Sequence, residues 1–112
     1  YQSALQAWPE NSIALIGIGN KLYREQQFAK ASRYYLKAIK HQPNDAPSWN
    51  NLAFALAKQG CPALAHSAIN NALALNPYSK GFKQSQKEIQ ALTQNQASKS
   101  FCQAIKLPSP NA

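Results

Sequence analysis

The sequence predicts an all-α fold made of stacked antiparallel helix pairs, finished by a capping helix at the C-terminal side. Three observations predict it. Alanine occurs 19 times in 112 residues, valine and methionine never, and β-branched residues total eight. Alanine is the best helix former and β-branched residues favour strands, so a sheet protein is excluded in practice. Prolines at Pro9, Pro43 and Pro77 repeat every 34 residues, and Tyr1, Tyr35 and Ile69, Ala4, Ala38 and Ala72, and Leu5, Ile39 and Leu73 keep the same step. Within each period the apolar residues recur at intervals of three and four, which places them on one helix face.

Taken in order, residues 1–9 read as the second helix of a truncated preceding unit, with Tyr1, Leu5 and Trp8 on its apolar side. Residues 10–43 form the first full unit. Leu15, Ile18, Gly19 and Leu22 mark its first helix, Glu25-Gln26-Gln27 its break, and Phe28, Ala31, Tyr35 and Ala38 its second helix. Residues 44–77 repeat the scheme with Trp49, Leu52, Ala53 and Leu56, then Gln59-Gly60-Cys61-Pro62, then Ala65, Ile69 and Ala72. Gly60 suits the left-handed position that ends a helix, and Pro62 suits the first turn of the next. Each period closes at its proline, which lacks the amide hydrogen needed to continue.

Residues 78–96 keep one weaker apolar face at Phe82, Ile89 and Leu92. In a stack of hairpins the terminal helix faces water on one side and needs fewer apolar residues. Its buried columns align with the preceding units after a shift of one residue. Residues 97–112 hold a polar break, then Phe101, Ala104, Ile105 and Pro108, which either echo a degenerate repeat or fold back as a short apolar segment, with residues 108–112 frayed.

A 34-residue helix–turn–helix with this spacing resembles the tetratricopeptide repeat. The second unit carries Trp49, Leu52, Ala53, Leu56, Gly60, Ala65, Ile69, Ala72 and Pro77, and the first departs from the pattern at Leu15, where it has Trp, and at Gln26, where it has Gly. The resemblance covers residues 1–77. It implies a right-handed superhelix whose first helices line a concave groove that binds proteins or peptides. A narrower resemblance rests on Trp8-Pro9-Glu10-Asn11-Ser12, Gly17-Ile18-Gly19-Asn20 and Asn50-Asn51-Leu52-Ala53. These are similar to the C-terminal repeat region of bacterial cell-envelope cysteine peptidases related to bacteriocin-processing peptidases. It implies a catalytic Cys, His and Asp upstream, outside this chain, and an envelope or periplasmic location; without it the expectation is cytoplasmic. The helical pattern at residue 1 and the lack of an initiator Met read as a piece of a longer polypeptide.

Catalytic chemistry finds no support. The histidines His41 and His66 are not placed beside a nucleophile, and Cys61 and His66 flank a turn rather than sharing a face. Glu10, Glu25, Asp45 and Glu88 are the four acidic residues, and no two of them form a close pair for acid–base work. Cys61, Cys102, His41 and His66 are too scattered for zinc. Gly17-Ile18-Gly19 falls within a helix with no strand before it, so it is a packing feature and not half of a nucleotide fingerprint. No metal or cofactor is expected. The longest apolar run, Ile13 to Gly19, is too short for a membrane helix. Cys61 and Cys102 are too few for a disulfide scaffold; an oxidising compartment would let them pair, and two independent free thiols are the preferred reading.

Binding is the remaining class, and the apolar columns fix which side chains face the groove. They are Ile13, Ile16, Asn20, Tyr23 and Arg24 in the first unit, Asn50, Asn51, Phe54 and Lys58 in the second, and Lys80, Lys83, Gln84 and Lys87 in the cap. Amides suit a peptide backbone and cations suit acidic side chains. Some repeats of the resembled family clamp a partner's C-terminal carboxylate with two Asn and three basic residues. Asn20, Asn51 and Lys80 match, while Ile16 and Gln84 stand where cations would be. A second basic surface, Lys30, Arg33, Lys37 and Lys40, lies along the convex side. It reads first as a solvated face, with nucleic acid, acidic lipid or an acidic partner as the alternative. Two rivals to groove binding follow: a scaffold or dimerisation role through the truncated N-terminal edge, beside an attached peptidase, and nucleic-acid binding through the stripe, to which the net charge of +8 contributes.

Overall fold

A computed structural model describes residues 12–108. The expected half unit over 1–9, its edge at Tyr1, Leu5 and Trp8, and the last four residues lie outside the described part. Five helices follow one another: α1 (Ser12–Arg24), α2 (Phe28–His41), α3 (Ala46–Lys58), α4 (Pro62–Leu75) and α5 (Lys80–Leu92), then a 3₁₀ turn at Ser100–Ala104. No strand occurs among the described residues.

The helix ends follow local chemistry. The α1–α2 and α3–α4 turns close in the same way. Gln26 N–H donates to the Tyr23 carbonyl at 2.9 Å and Gln27 N–H to that of Leu22 at 2.9 Å; Gly60 and Cys61 donate to Ala57 and Leu56 at 3.1 and 3.0 Å. Each is the paired closure of a helix by one left-handed residue. Gly60 has φ +83°, and Gln26 holds φ +63° without being glycine. The proline turns close by equivalent bonds, Asp45 N–H to the Gln42 carbonyl at 3.1 Å and Ser79 N–H to that of Asn76 at 3.3 Å. Proline pre-sets the second position of such a turn. Ser79 then caps α5, its hydroxyl accepting from Phe82 N–H at 3.1 Å. At the matching place before α3, Asp45 instead accepts from the Ser48 hydroxyl at 2.6 Å.

Neighbouring helices pack in chain order, and α3 also meets both α1 and α5. The first helices of successive hairpins therefore stand side by side and run the same way. The core runs through Tyr35, Ile39, Trp49, Leu52, Leu56, Ile69 and Ile89. Ala38 and Ala72 are wedged completely between neighbours, as are Ala53, Ala65 and Ala68; their size is what lets the helices approach. Trp49 is fully buried, and its indole N–H donates to the Pro43 carbonyl at 2.8 Å, so the large side chain leaves no donor unpaired. On α5 only Ser85 and Ile89 are buried, with Phe82 half-buried. The α5 end is fixed by Thr93. Its hydroxyl donates to the Ile89 carbonyl at 2.7 Å and lies 3.0 Å from His66 Nε2. With the hydroxyl proton spent on Ile89, His66 must donate from Nε2.

One expectation is overturned. Cys61 and Cys102 are joined in a disulfide, with α-carbons 5.7 Å apart. Their separation of 41 residues gave no hint of this, because α4 runs away from the α3–α4 turn and α5 runs back. The segment after α5 thus returns to the place where α4 began.

Candidate functional site

The first hairpin makes room for a side chain that reaches across it. Tyr35 on α2 lies against Gly19 on α1, where a Cβ would sit 2.6 Å from the tyrosine Cε1. Only a residue without a side chain admits the ring. The ring is buried, but its hydroxyl emerges between α1 and α3, where it donates to Asn20 Oδ1 at 2.6 Å. Asn51 Nδ2 on α3 donates to the same oxygen at 3.4 Å. Three helices are thereby linked through one carbonyl. The two amides bond to each other, and Asn20 alone also bonds Tyr35. Asn20 keeps both of its N–H donors for a ligand, and Asn51 keeps one donor and its oxygen.

Around this network lies a cavity of about 360 Å³ lined by Asn20, Tyr23, Arg24, Tyr35, Asn51 and Phe54. Burial pushes the Tyr35 phenol up to about 12, with a smaller push from Tyr23 and a small opposing pull from Arg24. Burial also raises the Tyr23 phenol. Both phenols stay neutral near pH 7, so Arg24 is the charged group of this cavity and gives it a positive sign.

A second cavity, of about 450 Å³, opens on the other side of Tyr23 and Phe54 and is completed by Lys58, Glu88, Ala91 and Leu92. Tyr23 is held by an edge-on contact with Phe28, centroids 5.1 Å apart. The two cavities share Tyr23 and Phe54. Adjoining at these two side chains, they make up a channel along α1, α3 and α5, with amides and Arg24 at one end and apolar surface flanked by Lys58 and Glu88 at the other. Glu88 also accepts from Gln84 at 3.4 Å.

Of the residues expected in the groove, Asn20, Tyr23, Arg24, Asn51, Phe54 and Lys58 come together here. Lys80, Lys83 and Lys87 are exposed and line neither cavity. The first helices are parallel, so the channel meets the last turn of α5. Lys80, its first residue, stands about 16 Å of helix rise from Ala91. Ile16 is half-buried against the core and not presented to the channel. Asn50 also lines neither cavity, and its Oδ1 is buried without a hydrogen-bond partner. Ile13 is 76% exposed.

Tyr35, Glu88, Ala91 and Leu92 were missed. In the sequence Tyr35 marks the apolar pattern of the second helix, and its ring does pack inward. Glu88 and Leu92 lie one 34-residue step beyond Phe54 and Lys58, so the unshifted period points to them. The shifted period describes the buried side of α5, where Phe82 and Ile89 pack.

The cations Lys30, Arg33, Lys37 and Lys40 are all exposed, and Lys37 Nζ lies 5.2 Å from the Tyr34 ring centroid. Among the described residues, Glu25, Asp45 and Glu88 each accept from a neutral side chain: Gln27, Ser48 and Gln84.

Comparison with known proteins gives the same repeat from two frames. Residues 12–45 and 34–67 each match a sequence family described as tetratricopeptide repeat, and together they span half of the chain. The chain is 33% identical over 64 residues to Hsp70-Hsp90 organizing protein 1 of Glycine max, covering 56% of this chain and 11% of that protein. It is 34% identical over 62 residues to the peroxisomal targeting signal receptor of Kluyveromyces lactis, covering 55% and 11%. With Hsp70-Hsp90 organizing protein 3 of Arabidopsis thaliana it shares 31% over 65 residues, covering 57% and 12%. The chain thus matches about a tenth of the length of these relatives.

Proposed function

The chain belongs to the tetratricopeptide-repeat family and is a protein–protein interaction module, and we propose that the channel over α1, α3 and α5 holds an extended segment of a partner protein. One observation carries this reading. The channel offers unspent amide donors and an amide acceptor at one end, and a half-buried aromatic pair between that end and the apolar one. Donors and an acceptor together suit a peptide backbone, which presents one of each per residue. Arg24 adds a cation for an acidic side chain or a terminal carboxylate of the partner. Tyr23 and Phe54 offer apolar area to a side chain beyond it. By their names, the relatives organise Hsp70 and Hsp90 and receive a peroxisomal targeting signal, and we carry over to this chain only the idea of contact with another protein. The module binds; it does not itself catalyse.

The test is a selection of displayed random peptides on the 112-residue chain, followed by fluorescence anisotropy of the selected peptides. Arg24→Ala with Asn51→Ala is expected to weaken binding by about 10-fold or more. Lys30→Glu with Lys37→Glu, on the convex side, is expected to leave it unchanged. Far-UV circular dichroism checks that both variants stay helical. Equal affinity of the groove variant, or loss only in the convex variant, would reject the channel as the binding surface.

A further inference from the structure

The segment after α5 is secured by a covalent bond rather than by another helix. Cys61 is fully buried and Cys102 is 4% exposed. Two further contacts set the register between the segment and the α3–α4 turn. Lys99 N–H donates to the Gly60 carbonyl at 3.1 Å, and the Lys99 alkyl chain lies over Gly60, with Cε 2.8 Å from where a Cβ would be. Ile105 and Leu107 then pack, half-buried, against the buried core. Beyond these contacts the segment has little to hold it. Phe101 is 49% exposed, and among the segment's described residues the only regular structure is the five-residue 3₁₀ turn. Ordering the backbone from Thr93 onward costs conformational entropy that so few buried groups offset poorly.

We infer that this chain is oxidised as it folds, in a compartment that supplies disulfides, and that the Cys61–Cys102 bond is what fastens the segment after α5 to the α3–α4 turn. The two thiols give up two protons and two electrons. An external disulfide, of a protein oxidant or of oxidised glutathione, accepts them through a mixed-disulfide intermediate and leaves as two thiols. Since both sulfurs are shielded in the folded chain, the exchange precedes the final packing of the segment. The same shielding makes the bond structural. A reductant reaches it only when the segment opens, so the bond persists where thiols are moderately reducing and does not act as a switch.

The test uses the wild-type chain and the Cys61→Ala/Cys102→Ala variant. After refolding in mixed oxidised and reduced glutathione, the wild type is denatured and alkylated. Intact mass should show no alkylation, and peptide mapping should recover the 61–102 cross-link. Transfer of the folded protein to an excess of reduced glutathione should leave the bond in place. The variant should melt lower by about 10 °C or more. Trypsin should cut after Lys99 at least about ten times faster in the variant, while α1–α4 stay protected. Two alkylated thiols after refolding, or ready reduction of the folded protein, would overturn the inference whether or not the variant folds. An unchanged melting temperature and an unchanged cleavage rate would overturn it as well. None of these readouts involves peptide binding, so they stand apart from the channel reading.

Discussion

The two hairpins solve one packing problem with different pairs of residues. Where α1 crosses α2, Gly19 faces Tyr35; 34 residues on, in α3 and α4, the same columns hold Ala53 and Ile69. All four are buried. The first pair places a large ring against no side chain, and the second places a medium side chain against a methyl. The exchange keeps the volume of the crossing roughly constant, which a close-packed interior demands. The chemistry differs, however. Ile69 ends in a methyl, whereas Tyr35 ends in a hydroxyl that donates to Asn20 at 2.6 Å. The first crossing thus builds the polar end of the channel as well as the core.

The largest effect is expected from breaking that exchange. Gly19→Ala drives a methyl into the Tyr35 ring, and overpacking of this kind costs about 1–3 kcal/mol. The double variant Gly19→Ala/Tyr35→Ile installs the second hairpin's solution in the first. It should recover most of the lost stability, a strong positive coupling by double-mutant cycle in urea unfolding. It should bind selected peptides less well, because the hydroxyl that orients Asn20 is gone. A double variant no more stable than the sum of its singles would show that the two crossings are not interchangeable.

Tyr35 also offers a pH test with a definite sign. Burial, the main cause, raises its phenol from 10.0 to about 12. Between those values the unfolded chain has released this proton and the folded chain has kept it. The unfolded state then binds fewer protons, so this contribution to stability is complete below pH 10 and is lost as pH rises toward 12. Tyr35→Phe removes it. At pH 8 the wild type should be the more stable by about 1 kcal/mol for the hydrogen bond. By pH 11 that margin should narrow, measured as the difference between two urea curves at each pH. A margin independent of pH would show that the hydroxyl is not withdrawn from solvent.

How much of this was legible follows from how far each residue's role depends on its own helix. The columns at Trp49, Leu52, Leu56 and Ala72 are set by helical period, and the channel residues Asn20, Asn51 and Phe54 follow as the complementary face. The last turn of α5 was harder. A helix packed on one side only need not keep the rotation of its predecessors, and Glu88 and Leu92 appear only when the original 34-residue step is kept. The disulfide was not legible at all. Sequence separation carries no distance, and the closeness of Cys61 to Cys102 depends on where two intervening helices end.

The smallest effects separate the two hairpin turns. They share the same pair of closing bonds, yet Gly60 takes the left-handed position in one and Gln26 in the other. Glycine adopts that conformation freely, whereas a residue with a Cβ meets the following carbonyl oxygen, at a cost on the order of 1 kcal/mol. Gly60→Ala should therefore destabilise by about 1 kcal/mol. The Lys99 alkyl chain, whose Cε lies 2.8 Å from where the new methyl would be, has to shift as well and adds to that cost. Gln26→Gly should stabilise by roughly 0.5 kcal/mol, less than the strain it relieves, since glycine also loosens the unfolded chain. In thermal unfolding the first is a fall of about 4–8 °C and the second a rise of about half that. Equal signs would mean that the turns, despite matching bonds, are held by different forces: the first by its backbone, the second by the disulfide at Cys61 that follows it.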